Sequence, residues 1–183
     1  MLEKRHALNK INQSEENYLK KKAVILYGSP HENGYTKKVL NDVIKELQTD
    51  YEFEFIDAFK EKIKPCVDCG FCKRNSSCIF PDFNNIDKIL RKCDLLIVAT
   101  PVYNSSFPAP LKAIIDRTQI YFNMKTKLKI NPFKQEKQAI LVATYGSNDN
   151  SCEEIILNQL KLFFILLNAK LSKVVFVKNT DKI

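Results

Sequence analysis

Three short apolar runs constrain the fold of this chain more than any other feature of its sequence. They cover residues 23–27, 95–100 and 139–144, carry no charge and consist mainly of Val, Ile, Leu and Ala. A run of this length suits a strand that is buried on both faces, as in the middle of a parallel sheet. The sequence therefore predicts three central strands joined by connections that cross over the sheet.

Amphipathic segments separate these strands. Apolar residues recur at helical spacing in residues 35–48, 83–92, 110–121 and 152–168. Thr36 is predicted to cap the first of these helices. Residues 51–56 alternate aromatic and acidic side chains, as an edge strand does, and residues 171–177 form the last strand. Five strands that alternate with four helices predict right-handed crossovers and a three-layer α/β fold.

The amphipathic second strand belongs at an edge of the sheet, and the three apolar runs belong in its middle. The flavodoxin-like order 2-1-3-4-5 meets this requirement with a five-stranded parallel sheet. Such a sheet binds its ligand at the carboxyl ends of its strands, beside the point where the strand order reverses. We therefore expect the loops after Tyr27, Thr100 and Thr144 to converge on one site.

The first of these loops, residues 28–36, lies between a buried strand and the start of a helix. Free backbone amides, the helix dipole and hydroxyl groups make an anion site at such a position. The loop has neither the Walker A spacing nor a G-x-G-x-x-G pattern, so it suits the terminal phosphate of a mononucleotide. The alternative is an ordinary strand-to-helix turn. The candidate phosphate-binding residues are Ser29, His31, Asn33, Tyr35 and Thr36.

The second and third loops each combine an aromatic residue with accessible backbone groups. Flat apolar surface beside amide groups can hold a planar heterocycle. The alternative for the second loop is that Pro110 starts a helix and Tyr103 covers the end of that helix. Because both loops face the expected phosphate site, they indicate FMN as the ligand. The candidate contacts are Pro101, Val102, Tyr103, Asn104, Thr144, Tyr145 and Gly146.

Two motifs in these loops resemble a known family. GSPHENGYT at residues 28–36 resembles the pattern GSPRxxGNT, and ATPVYNSSFPAPLKAIIDR at residues 99–117 resembles a second fingerprint. Both patterns are typical of the NADPH-dependent FMN reductase-like family of flavodoxin-fold proteins, whose branches include the iron–sulfur flavoproteins. The resemblance extends from about Lys22 to Val177.

This resemblance implies that FMN binds with its phosphate on Ser29, Asn33, Thr36 and the loop amides, and with its ring against the second and third loops. Two positions depart from the family pattern. His31 stands where the family usually has Arg, and Tyr35 stands where it usually has Asn. Either change would weaken the contact with the phosphate, although a protonated His31 would keep a positive charge there.

Four of the six cysteines lie in one segment, Cys66-x2-Cys69-x2-Cys72-x5-Cys78. In an intracellular chain this density points to a metal, a cluster or redox chemistry rather than to disulfides. The spacing leaves three interpretations open: a 4Fe–4S cluster, unliganded thiols, and a zinc site, although zinc ribbons use two separated pairs. The resemblance to iron–sulfur flavoproteins implies the cluster. The other two cysteines, Cys93 and Cys152, are expected to be packing residues.

Together these features predict an FMN-dependent oxidoreductase that takes hydride from NAD(P)H and passes electrons to a quinone, flavin, nitro compound or redox partner. The cofactor supplies the chemistry, so no catalytic acid or base is expected. The alternative is an electron carrier without a substrate of its own. Carriers often dock through acidic surfaces, and the net charge of +8 argues against that alternative.

The basic residues and the apolar runs define the expected partners. The 29 basic residues are spread along the chain and are mostly Lys, which is typical of a solvated surface rather than of nucleic-acid binding. No apolar run approaches the ~20 residues that span a bilayer, and no secretory signal is visible. We therefore expect a cytoplasmic protein that binds neither nucleic acid nor membrane.

One domain is expected at residues 22–183, with a Cys-rich insertion at 65–81 and an N-terminal extension at 1–21. Few residues follow the fifth strand, so one face of the sheet is expected to need another cover. Apolar residues near helical spacing predict that residues 3–19 form a covering helix, or that a second subunit covers this face in a homo-oligomer. The alternative for the extension is a frayed tail.

Overall fold

The structure, a computed structural model, describes residues 20–181. Five parallel strands form one sheet in the order β2-β1-β3-β4-β5. These strands are β1 (Lys21–Tyr27), β2 (Tyr51–Asp57), β3 (Leu95–Pro101), β4 (Lys137–Thr144) and β5 (Ala169–Val177). The predicted flavodoxin-like order and the edge position of the second strand are confirmed.

Helices cover both faces of the sheet and give the predicted three layers. The helices of the described chain are α1 (Tyr35–Leu47), α2 (Ala58–Glu61), α3 (Asn84–Lys92), α4 (Ala109–Arg117), α5 (Gln119–Asn123) and α6 (Ser151–Leu166). Helix α1 packs on one face through Leu40 and Val43. Helices α3, α4 and α6 pack on the other face. A short 3₁₀ turn, Phe71–Lys73, lies within the cysteine segment, and a second, Pro81–Phe83, follows the segment. A π-helical turn, Met124–Leu128, follows α5.

The three apolar runs form the buried centre of the sheet. Residues 23–27, 95–100 and 139–144 are all buried. Removing apolar surface from water stabilises by about 25 cal/mol per Å², so these runs fix the middle of the fold. The edge strands β2 and β5 keep most of their residues partly or fully exposed. Between its pairings at Leu171 and Lys173, β5 carries a bulge, which interrupts the regular edge of the sheet.

The helix predicted at residues 110–121 is divided in the structure. Helix α4 ends at Arg117, and Thr118 bends the chain before α5 begins. Thr118 donates its backbone N–H and its hydroxyl to the carbonyl of Ile115, at 3.1 and 2.6 Å. A hydroxyl that bonds to the preceding turn competes with the regular helical ladder, which explains the division.

The predicted capping role of Thr36 is wrong. Gly34 is the residue that precedes α1, and no side chain caps the helix there. Thr36 lies within the first turn of α1 and is buried. Its hydroxyl is used elsewhere, as described below.

Two further expectations concern the N-terminal extension and membrane-spanning helices. The N-terminal extension, with the helix predicted at residues 3–19, lies outside the described residues. Among residues 20–181, none of the helices has the length and apolar character needed to cross a bilayer.

Gly28 is required where β1 meets α4. A Cβ atom at this position would lie 2.6 Å from Cδ2 of Leu111 and 3.1 Å from Oγ1 of Thr100. Because Leu111 is fully buried, we expect Gly28→Ala to lower the free energy of unfolding by about 1–3 kcal/mol, the usual cost of overpacking. Urea denaturation measures this change.

Gly34→Ala is the matched control for this substitution. Its added Cβ would lie 3.0 Å from Cβ of His31, a contact that a shift of a few tenths of an ångström in this exposed turn relieves. We expect this variant to lose less than ~1 kcal/mol. Equal stability of Gly28→Ala and the unaltered protein would contradict the close approach of β1 to α4.

Candidate functional site

Hydrogen bonds join the three loops that follow β1, β3 and β4. The N–H of Gly28 donates to the carbonyl of Ala99 at 2.8 Å, which joins the first loop to β3. The N–H of Val102 donates to the carbonyl of Thr144 at 2.8 Å, which joins the second loop to the third. The hydroxyls of Thr36 and Thr144 lie 2.6 Å apart, which joins the first loop to the third. The structure therefore brings the three loops together at the carboxyl edge of the sheet.

Two buried residues bond through their hydroxyl groups to the backbone of the first loop. Ser29 is buried, and its Oγ accepts the backbone N–H of His31 at 3.2 Å. The hydroxyl of Tyr27 donates to the carbonyl of His31 at 2.8 Å. The imidazole of His31 is left exposed, as are Asn33 and Tyr35. Such local bonds stabilise a tight turn and leave its upper side open.

Backbone amides at the start of α1 are free to bind an anion. Within residues 20–181, the amides of Asn33, Tyr35 and Thr36 have no hydrogen-bond acceptor. Helix α1 has 13 residues, so its dipole adds partial positive charge at this end. Unpaired amides, a helix N-terminus and two hydroxyls fit the phosphate of a mononucleotide.

The second loop is a tight hairpin that presents an aromatic ring. Tyr103 and Ser106 exchange two backbone hydrogen bonds of 2.9 Å. Asn104 and Ser105 between them have φ values of 51° and 56°, as a two-residue type I′ turn requires. The Tyr103 side chain is 43% exposed, whereas Pro101 and Val102 are half-buried. The turn therefore leaves the Tyr103 ring available to a ligand.

The third loop differs from this arrangement because its aromatic ring is part of the core. Tyr145 is 4% exposed, and its ring meets that of Phe176 edge-on, 6.4 Å between centroids. Its hydroxyl donates to the carboxylate of Glu153. Burial, reinforced by Glu153, raises the pKa of Tyr145, so this phenol stays protonated. The ring of Tyr145 thus packs in the core and supports the third loop; it does not face the site.

Gly146 stands at the half-exposed end of this loop. A Cβ atom there would lie 1.8 Å from a carboxylate oxygen of Asp181, so the C-terminal segment packs directly on the glycine. The segment is fixed by bonds from the N–H of Asn179 to Ser147 and from the N–H of Thr180 to Tyr145, both 3.2 Å. Glu153 and Asp181 were missed by the sequence reasoning, because no local motif connects them to the loop.

The four clustered cysteines border a single pocket. Cys66 and Cys69 are exposed, and Cys72 and Cys78 are half-buried. All four line a narrow pocket of about 20 Å³, next to α4 and α5. Within residues 20–181, no three His, Cys, Asp or Glu side chains converge as ligands of one metal ion.

This arrangement argues against the zinc interpretation and is compatible with the other two, unliganded thiols and a cluster. A zinc site needs its thiolates to converge on one ion, and the structure does not bring them to one point. In a 4Fe–4S cluster each cysteine binds its own iron, so four thiols around a shared pocket fit the donor set of a cluster. Cys93 and Cys152 are buried, as expected of packing residues.

One buried arginine bonds to the residues on both sides of the cysteine segment and so joins its two ends. Arg117 is 1% exposed, and its guanidinium donates to the carbonyls of Lys64 and Phe80, at 2.8 and 2.9 Å, and to the carboxylate of Asp82 at 2.8 Å. The N–H of Lys64 also donates to Asp82 at 2.8 Å. Partial burial opposes ionisation of Asp82, but these bonds prevail and lower its pKa. Sequence reasoning missed this role of Arg117, although the residue ends the second fingerprint.

Comparison with known proteins shows which family these features belong to. The sequence profile of the family described as NADPH-dependent FMN reductase matches residues 21–179. An iron-sulfur flavoprotein of Methanocaldococcus jannaschii is 28% identical over 149 residues, which are 79% of this chain and 72% of that protein. Another, from Methanosarcina thermophila, is 33% identical over 133 residues, 70% of this chain and 65% of that protein. A third match, in Archaeoglobus fulgidus, covers 57% of this chain and only 49% of that protein, at 33% identity.

Solved structures share the fold. The NAD(P)H:quinone oxidoreductase of Methanothermobacter marburgensis has a TM-score of 0.71 and 15% identity, over 87% of this chain and 84% of that one. An azoreductase of Bacillus anthracis has a TM-score of 0.61 and 15% identity, over 87% of both chains. The profile match covers most of the chain, which therefore belongs to the NADPH-dependent FMN reductase family and is a flavin-dependent oxidoreductase.

Proposed function

We propose that this chain binds FMN at the three joined loops, reduces it with NAD(P)H, and passes the electrons to a quinone, a flavin, a nitro compound or a redox protein. The observation that carries the proposal is the hydroxyl pair of Thr36 and Thr144, 2.6 Å apart, beside unpaired amides at the start of α1. This pair fixes a phosphate-binding loop against a loop expected to contact the flavin ring.

In this proposal the residues of the first loop hold the phosphate. The amides of Asn33, Tyr35 and Thr36 supply donors, and the hydroxyls of Ser29 and Thr36 lie in the same turn. His31 replaces the arginine of the family pattern and is exposed, so it can carry a positive charge toward the phosphate when protonated.

The ring of the flavin would contact the second and third loops. Tyr103 offers an exposed aromatic face, and Pro101, Val102 and Asn104 offer backbone groups in a rigid hairpin. Thr144 and Gly146 border the same site, while Tyr145 contributes support rather than its ring. Bound FMN supplies hydride acceptance, and the protein binds and orients the cofactor and its co-substrate.

Removing the hydroxyl of Thr36 tests the phosphate site. We expect Thr36→Val to reduce FMN affinity at least tenfold, because a hydrogen bond to a charged group contributes about 1.5–3 kcal/mol. Fluorescence titration of the apoprotein with FMN measures this affinity. Thr36→Ser, which keeps the hydroxyl, is the control and should stay within about threefold of the unaltered protein. Unchanged affinity in Thr36→Val would place the phosphate elsewhere.

Anaerobic mixing with NADPH tests the reductase against the alternative of an electron carrier. A reductase binds the nicotinamide against the flavin, so we expect NADPH to bleach the absorbance of bound FMN rapidly. A carrier would stay oxidised with NADPH but would be reduced by dithionite. Persistent flavin absorbance with NADPH, followed by bleaching with dithionite, would support the carrier.

We further propose that Cys66, Cys69, Cys72 and Cys78 hold a 4Fe–4S cluster. The shared pocket of the four thiols and the iron-sulfur flavoproteins among the relatives support this assignment. The cluster would give the protein a one-electron centre beside the two-electron flavin.

Loss of one ligand tests the cluster. We expect Cys69→Ser to lose most iron and acid-labile sulfide while keeping FMN, because Cys69 is exposed and the pocket that it lines includes no residue of the three loops proposed to bind FMN. Cys152→Ser, a cysteine outside the pocket, is the matched control and should keep its iron. Iron and sulfide analysis of anaerobically reconstituted protein measures both. Equal iron in Cys69→Ser and Cys152→Ser would remove Cys69 from the ligand set.

Assembly as a homo-oligomer, a cytoplasmic location and the absence of nucleic-acid and membrane partners remain predictions from the sequence. The N-terminal extension also remains a prediction, as do the domain boundaries.

A further inference from the structure

Asn123, the last residue of α5, is a buried polar side chain that the flavin site does not use. It is 2% exposed, and its Nδ2 amide donates to Sγ of Cys72 at 3.1 Å. A neutral thiol is a weak acceptor, whereas a bond from an amide to an ionised sulfur is stronger. A cysteine sulfur that binds a cluster would therefore gain more from this bond than a free thiol does.

The backbone around Asn123 holds this amide in place. Tyr121, two residues earlier, is fully buried, and its hydroxyl donates to Asp87 of α3 at 2.8 Å. Directly after Asn123 the chain enters the π-helical turn Met124–Leu128. A π-helical turn changes which side of a helix a residue occupies and is common at functional sites. The orientation of Asn123 toward Cys72 is thus fixed on both sides.

The charged residues that line the pocket of Cys72 are Arg117 and Asp68. Arg117 lines the same pocket, and among the described residues its buried Nε has no hydrogen-bond partner. Asp82 is its ion-pair partner. Asp68 also lines the pocket, but it is exposed and lies 3.9 Å from the ammonium of Lys73. The buried Asn123 therefore bonds directly to a cysteine of the pocket, and the buried Arg117 is a cation that lines it.

We infer that Asn123 tunes the reduction potential of the 4Fe–4S cluster through its bond to Cys72. This inference rests on the cluster proposed above. Reduction adds one electron to the cluster and its thiolate ligands and breaks no bond, so the reduced state carries more negative charge. A donor on a ligand sulfur stabilises that state and raises the potential. Asn123 is accordingly a positioning and tuning residue rather than a ligand.

Replacing Asn123 tests this role. Asn123→Leu removes the donor at similar size, and Asn123→Asp replaces it with a carboxylate. For Asn123→Leu we expect the equilibrium constant for reduction to fall roughly three- to tenfold, or about 28–59 mV for one electron. Asn123→Asp should shift the potential further in the same direction. Anaerobic redox titration followed by EPR measures the potential, and iron analysis confirms that each variant is loaded.

Asn75→Leu is the matched control. Asn75 belongs to the same segment, but its Nδ2 donates to the carbonyl of Phe71 at 3.0 Å and not to a sulfur. We expect this variant to keep the original potential, because it disturbs the segment without removing a donor from a ligand.

The outcomes distinguish the proposed cluster from the proposed tuning role of Asn123. Fully loaded Asn123 variants with the original potential would overturn the role of Asn123 and leave the cluster in place. An unaltered protein that contains no stoichiometric iron after reconstitution would overturn the cluster, and this inference with it. If Asn123→Leu does not retain a cluster, the reduction potential of Asn123→Asp tests the role of Asn123 instead. A shift of equal size in Asn75→Leu would assign the effect to the segment as a whole.

Discussion

The burial of β3 between two layers of helices is the constraint on which the rest of the structure depends. β3 pairs with β1 on one side and β4 on the other, and all residues from 95 to 100 are buried. Parallel neighbours require crossovers of one hand, so the loops after the central strands emerge at the same edge. The convergence of three loops is therefore a consequence of topology, and the local bonds between them only refine it.

The sequence predicted those features that depend on local spacing. Charge-free runs identified the central strands, and the position of each loop after a strand identified the site. Sequence patterns did not predict the contacts between distant parts of the chain. The partner of Thr36 is 108 residues away, and Tyr145 packs on Phe176. An aromatic residue in a loop looks the same in sequence whether its ring faces a ligand, as Tyr103 can, or the core, as Tyr145 does.

The two candidate sites are built by different physical means. The three loops proposed to bind FMN are held mainly by backbone bonds and hydroxyls, spread over three strands. The cysteine segment depends on one buried cation, Arg117, which bonds to Lys64, Phe80 and Asp82. Removing Arg117 would leave the carbonyls of Lys64 and Phe80 and the carboxylate of Asp82 without this donor. The bonds that join the two ends of the cysteine segment are therefore concentrated on one residue, whereas the bonds between the three loops are distributed.

Helix α4 connects these two sites. It begins directly after the second of the loops proposed to bind FMN, where Phe107 and Pro108 are buried, and it ends at Arg117. Nine helical residues span about 14 Å, so a rigid element rather than a flexible loop sets the relative position of the sites. Residues 99–117 include the loop expected to contact the flavin and also the arginine that closes the cysteine segment. A motif that resembles a flavin-binding pattern thus also determines where the cysteines are held.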